Sequence, residues 1–220
     1  MALPLIVGIS GATGVVYGVE MLRVLKDLGY PVHLIVSEFG LRTIGIETDL
    51  SMEDLKVLAD EVHSNKDVGA SIASGSFQTR GMVIAPCSIK TLSGIANSFA
   101  TNLMIRAADV TLKEGRPLVL MVRETPLHKG HLELMTKAAD IGARIHPLMP
   151  AFYHKPETIT DIIHQGVGRP NPGCVVGAAI LLEGDGIKQR VAGAAEFLGR
   201  IEFLHRRDLG NHFPVPENFR

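Results

Sequence analysis

Apolar positions along the chain follow two alternating rhythms. Short apolar runs at 5–9, 32–36, 81–85 and 117–122, with a brief extended segment at 144–146, predict strands, because continuous apolar stretches bounded by turn signals suit strands covered on both faces. Between them the apolar residues recur every three or four positions. Val16, Val19, Leu22 and Leu25 predict a helix over 15–28, stopped by Gly29. Ser51-Met-Glu-Asp54 predicts a serine-capped helix with acid in its first turn, running to about 63. A polar Gly/Ser-rich stretch at 69–79 leads into the third strand, and helical patterns follow at 88–97, 101–113, 128–142 and 156–168. Strands alternating with helices predict an α/β fold, a doubly wound parallel sheet with its site at the carboxyl ends of the strands.

Beyond position 168 the pattern breaks. Arg169-Pro-Asn-Pro-Gly173 interrupts the helix, 175–186 reads equally as strand or loop, and 187–206 carries one apolar stripe through Val191, Ala195, Leu198 and Leu204. The expected division is a body over 1–169 and a divergent extension over 170–220, packed on the same domain or on a neighbouring subunit.

Composition narrows the partners. A net charge of −1 over 220 residues gives no basic surface for nucleic acid. Cys87 and Cys174 fit no zinc or C-x-x-C spacing and no disulfide framework. No apolar run approaches the roughly 18 residues of a membrane span, and the first residues lack a signal peptide's basic region. A cytoplasmic, unprocessed chain is expected.

The chemistry concentrates where strands end. Gly8-Ile-Ser-Gly-Ala-Thr-Gly14 follows the first apolar run and opens a helix, so its small residues and the helix N-terminus can approach a phosphate. Its G-x-x-G-x-x-G spacing departs from the G-x-G-x-x-G of dinucleotide folds. The second strand is followed by Ser37, which suits a flavin, and then by Glu38, which leaves a nicotinamide nucleotide open. A second small-residue turn, Pro86-Cys-Ser-Ile-Lys-Thr-Leu-Ser-Gly94, offers Ser88 and Thr91 as hydroxyl donors or as a helix cap. Cys87 there would be a nucleophile only with a cationic partner, and Lys90 is the local one. Arg123 and Glu124 at the end of the fourth strand suit a phosphate or flavin edge and a proton transfer respectively, or else a surface ion pair. Arg106, Lys113, Arg116, Arg169 and Tyr153 could serve a second phosphate, or be solvated. His128 and His131 form H-x-x-H without an evident third ligand, so no metal is expected.

Taken together these segments, with Glu47-Thr-Asp49, Ser71-Ile-Ala-Ser-Gly-Ser-Phe77, Arg106-Ala-Ala-Asp-Val110, Leu112-Lys-Glu-Gly-Arg-Pro117, Val122-Arg-Glu-Thr-Pro-Leu127 and Ala151-Phe-Tyr-His-Lys-Pro156, make the chain resemble the flavin prenyltransferases of the UbiX/Pad1 group over about 3–169. The resemblance implies a flavodoxin-like subunit of a homo-oligomer, trimers building dodecamers, that moves a dimethylallyl group from dimethylallyl phosphate to N5 and C6 of reduced FMN. The prenylated FMN would serve a UbiD-type decarboxylase. It implies FMN held by Gly11, Ala12, Thr13, Ser37, Ser88, Ile89, Lys90, Thr91 and Arg123, and the prenyl phosphate by Arg106, Lys113, Tyr153 and Arg169. Glu47, Lys113, Glu124 and Tyr153 would be catalytic, Glu124 relaying a proton, with no metal. Two alternatives stand beside it: a non-catalytic FMN-binding assembly subunit or carrier for a decarboxylase, and a flavin-dependent cysteine-type decarboxylase.

Overall fold

The computed structural model describes residues 2–168. The sheet has six parallel strands: β1 (Leu5–Ile9), β2 (Val32–Val36), β3 (Glu61–Ser64), β4 (Gly81–Cys87), β5 (Leu118–Val122) and β6 (Arg144–Ile145). Their order is β3-β2-β1-β4-β5-β6. The strand order reverses between β1 and β4, the position where doubly wound sheets open a crevice at their carboxyl ends. The helices are α1 (Val15–Asp27), α2 (Glu38–Glu47), α3 (Met52–Lys56), α4 (Ile89–Ala96), α5 (Leu103–Lys113), α6 (Lys129–Asp140) and α7 (Ile159–Val167).

One expectation is corrected. The helix begun at Ser51 does not reach 63: α3 ends at Lys56, and 61–64 is the edge strand β3. The cap reads as expected, with a reciprocal Ser51–Asp54 capping box. Only Leu55 of α3 is buried, however, and five residues with one anchor cannot propagate a helix against the sheet. Glu61-Val-His-Ser64 carries no continuous apolar run because an edge strand is covered less completely than a central one. Segment 38–47, left without an element by the sequence pattern, is α2.

Helices cover both faces. On one, Val15, Val19, Leu22 and Leu25 of α1 pack with Leu55 and Val167 on Val7, Ile9, Leu34 and Val83. On the other, Leu92 and Ile95 of α4, Leu103 and Ala107 of α5 and Ala138 of α6 pack on Ile6, Ile35, Ile84 and Leu120. Neighbouring strand residues divide between the two clusters, as the strand period of two requires. Burying a leucine or isoleucine contributes roughly 1.5–3 kcal/mol, so this double core fixes the sheet and the position of its carboxyl edge. Among the described residues no helix is long and apolar enough to cross a membrane.

Candidate functional site

The four central strands deliver their next residues to one edge. Ser37 N–H donates to the Ile9 carbonyl (3.0 Å), and Arg123 N–H to the Cys87 carbonyl (3.1 Å), carrying the β1–β2 and β4–β5 pairings past the strand ends. Between β1 and β4 the join is made by Ser10, which is 1% exposed. Its Oγ donates to the Pro86 carbonyl and accepts from Ser88 N–H, both at 2.8 Å. Ser10 therefore sets the spacing of the first and second small-residue turns across the switch point. The sequence reading passed over it because a serine among glycines looks like turn filler.

The first turn is built by close approach. A methyl group at Gly11 would lie 2.3 Å from Cβ of Phe39, so no other residue lets the turn lie against the start of α2. Gly14 has φ 91°, a left-handed conformation, and acts as the N-cap of α1 without a capping side chain. The first turn of α1 contains no acidic residue. Glu47, the last residue of α2, supplies what is missing. Its carboxylate accepts from Gly14 N–H at 2.9 and 3.2 Å and from Val15 N–H at 3.1 Å. The positive end of α1 is thus satisfied by a carboxylate from the same chain, which narrows the anion reading of the first turn to residues 11–13. The signal for this partner was an absence: a helix with no local cap needs an acceptor from elsewhere.

Among the residues expected to hold FMN, Ser37 caps α2, accepting from Gly40 N–H at 2.9 Å. Ser88 caps α4, accepting from Thr91 N–H at 3.4 Å and donating to Thr91 Oγ1 at 3.1 Å. Gly11, Ala12 and Thr13 lie on the turn after β1, Ile89 and Lys90 in the first turn of α4, and half-buried Arg123 directly after β5. Topology therefore brings this whole set to the carboxyl edge of adjacent strands. Its chemistry of hydroxyls, main-chain amides and two cations fits a flavin mononucleotide, which presents a phosphate, a ribityl chain and a polar ring edge.

The described members of the second set are spread over several elements of the chain. Glu124 follows Arg123, is exposed and accepts from Thr125 N–H at 3.0 Å. Arg106 is in the first half of α5, with Nη1 on Asp109 (3.0 Å) and Nε on the Ala73 carbonyl (3.3 Å). α5 starts beside Asn65, just beyond β3, where the Asn65 carbonyl accepts from Leu103 N–H at 2.9 Å. It runs toward the opening of β5, so Lys113 lies about 10 Å farther along the axis than Arg106, near the amino edge, where it pairs with Glu114 (3.2 Å). Tyr153 is 99% exposed on the segment after β6. Arg169 and the extension 170–220 lie outside the described residues. Arg116 proves structural, its guanidinium donating to the Gly75 and Phe77 carbonyls at 2.7 and 2.8 Å.

A nucleophilic Cys87 is ruled out by its surroundings. The thiol is fully buried, burial pushes its pKa up, and Sγ approaches the Ser88 carbonyl at 3.7 Å. His128 and His131 stack with ring centroids 3.5 Å apart at the start of α6.

Comparison with known proteins agrees with this geometry. The Flavoprotein family model matches residues 2–167. Flavin prenyltransferase UbiX of Escherichia coli is 59% identical over 166 residues, 75% of this chain and 88% of the relative. That of Thauera aromatica is 61% identical over 163 residues, 74% and 84% of the two chains. Among solved structures, a UbiX in complex with FMN and dimethylallyl pyrophosphate superposes with a TM-score of 0.76 at 44% identity, covering 77% of this chain and 90% of that one. A dodecameric FMN-dependent UbiX-like decarboxylase from Escherichia coli gives 0.74 at 48% identity, with 76% and 92% covered. The chain belongs to the flavoprotein family and, within it, to the UbiX/Pad1 flavin prenyltransferases.

Proposed function

We propose that this protein transfers a dimethylallyl group from dimethylallyl phosphate to N5 and C6 of reduced FMN, making prenylated FMN for a UbiD-type decarboxylase. The observation that supports it best is the convergence of the Gly11–Thr13, Ser37, Ser88–Thr91 and Arg123 segments on one sheet edge. The relatives at 59–61% identity are named for this activity, which disfavours both the carrier and the cysteine-decarboxylase readings.

Bound there, reduced FMN supplies the nucleophilic N5 and C6 positions. The hydroxyls of Ser37, Ser88 and Thr91 and the cations Lys90 and Arg123 orient it. Breaking the donor's C–O bond leaves its electron pair on phosphate, and cations preplaced around that oxygen stabilise the developing charge without the reorganisation water would require. Arg106, Lys113 and Arg169 supply the charge, and Tyr153 a hydroxyl donor. Glu124, beside Arg123 at the edge, would relay to the departing phosphate the proton that the flavin gives up as the new ring closes at C6.

Because one chain keeps Lys113 at the amino edge and Tyr153 in solvent, the donor site is completed between subunits of a homo-oligomer. The dodecameric relative supports the homo-oligomer that this reading needs. A cytoplasmic location suits this chemistry, because reduced flavin needs a reducing compartment and the two cysteines of the sequence offer no disulfide framework. The test is anaerobic incubation with reduced FMN and either dimethylallyl phosphate or the pyrophosphate, followed by mass spectrometry of the released flavin. A mass gain of one C5 unit, slowed by Glu124→Gln, is expected. Tight FMN binding without any gain refutes the transferase and leaves the carrier.

A further inference from the structure

A cluster between β2 and the edge strand β3 has no role in this chemistry. His33 on β2 and Glu61 and His63 on β3 share one face: Glu61 and His63 are two apart on a strand, and the parallel register sets His33 opposite Glu61. Both histidines are only 8% exposed, whereas Glu61 is exposed at the sheet's edge. His33 Nδ1 and His63 Nε2 are 2.9 Å apart. The Glu61 carboxylate lies 3.6 Å from His33 Nε2 through one oxygen and 3.6 Å from His63 Nε2 through the other. One donor atom from each residue can be chosen so that all three fall within 4.8 Å of one another, the one such trio of His, Cys, Asp or Glu among the described residues.

Core packing does not account for the trio. Apolar side chains would fill a buried strand face without needing partners, and two imidazoles on one face need theirs. Their ligand chemistry does account for it. Two imidazoles and a carboxylate suit zinc and its first-row neighbours, and Zn–N bonds of about 2.0–2.1 Å in a tetrahedron separate donor atoms by about 3.3 Å. His63 Nε2 lies 2.9 Å from His33 Nδ1 and 3.6 Å from a Glu61 oxygen, distances on either side of that edge, so small shifts bring one donor from each residue around one ion. Phe77 packs against the His33 ring, centroids 5.2 Å apart, shielding that side.

We infer that His33, Glu61 and His63 form a binding site for a divalent transition ion of the zinc type, with a fourth position open to water beside Glu61. The ion clips the short edge strand β3 to β2. It thereby braces Asn65, one residue beyond β3, whose carbonyl and Oδ1 accept from Leu103 and Met104 N–H at the start of α5. This inference stands independently of the flavin reading.

The test is a titration of the chelator-stripped, full-length protein with Co(II), followed by visible absorption, and then displacement with Zn(II). One equivalent per chain is expected, with the intense bands of a four-coordinate ion that vanish on adding zinc. Glu61→Gln, at an exposed position that leaves the core intact, should weaken binding at least tenfold, and His63→Gln should abolish it. His131→Gln, removing the other histidine pair, should leave it unchanged. Absence of saturable uptake overturns the site, as does uptake that survives Glu61→Gln undiminished or disappears with His131→Gln. If His63→Gln fails to fold, the Glu61→Gln and His131→Gln pair still decides.

Discussion

Replacing Glu47 separates two roles that one carboxylate could hold, capping a helix and serving the reaction. The carboxylate makes three contacts of 2.9–3.2 Å with the first amides of α1, a helix without a cap or an acidic first turn of its own. A hydrogen bond to a charged group contributes about 1.5–3 kcal/mol. A favourable charge at a helix N-terminus adds about 0.3–1 kcal/mol. These overlap rather than add, because the carboxylate is the one source of both, so Glu47→Ala should destabilise by about 2–3 kcal/mol. Glu47→Gln keeps an acceptor oxygen but loses the charge, and should cost about 1 kcal/mol.

The assay is urea unfolding followed by far-UV circular dichroism, all variants at one protomer concentration because assembly contributes to apparent stability. Prenylation is measured in parallel well below each midpoint. If the cap is its structural role alone, the two variants should rank in stability as above while kcat stays near wild type. A Glu47→Ala protein within about 0.5 kcal/mol of wild type would refute the capping argument. A large loss of kcat in the stable Glu47→Gln protein would assign the carboxylate to the reaction as well.

Ser10→Ala leaves Ser88 N–H without its buried acceptor, so unfolding free energy should fall by about 1–3 kcal/mol and FMN affinity with it, read by flavin fluorescence. Cys87, buried with its thiol held protonated, should resist alkylation in the native protein and react only on unfolding, as peptide mapping of that residue will show. His146 has its pKa lowered by burial, partly offset by a hydrogen bond to the Gly166 backbone. The unfolded chain therefore binds the proton more readily, and stability should fall as pH drops through about 6.5; His146→Gln should flatten that slope in urea midpoints measured from pH 8 to 5. If the donor site spans subunits, mixing the impaired Lys113→Met and Glu124→Gln proteins with subunit exchange should restore full activity at about a quarter of the sites, whereas no recovery after verified exchange places both residues in one chain.

Strands covered on both faces could be read directly from the sequence, since β1, β2, β4 and β5 are short, predominantly apolar runs bounded by turn signals, with His33 of β2 the one basic side chain among them. β3 could not. With one edge unpaired and Glu61 exposed, it satisfies neither the continuous nor the alternating pattern, and the preceding capping box suggested a helix in its place. Its omission mattered little for the site, because the strand order reverses between β1 and β4 whether or not an edge strand is added beyond β2. It hid the His33–Glu61–His63 group entirely, since that group exists only through the β2–β3 register.

The same contrast runs through the flavin edge. Positions fixed by turn geometry, such as Gly11 and Ser88, are legible because few residue types meet the backbone's demands there. Positions that act by placing one turn against another carry no local signature. Ser10 links residues 76 and 78 positions away, and Glu47 reaches back 33 to the amide of Gly14. Lys113 poses the reverse problem: a cation at the exposed end of α5 carries no meaning for the chain that bears it. Under the proposed donor site between subunits, Lys113 of one subunit would meet Glu124 of another, and nothing in the sequence around either residue points to the other.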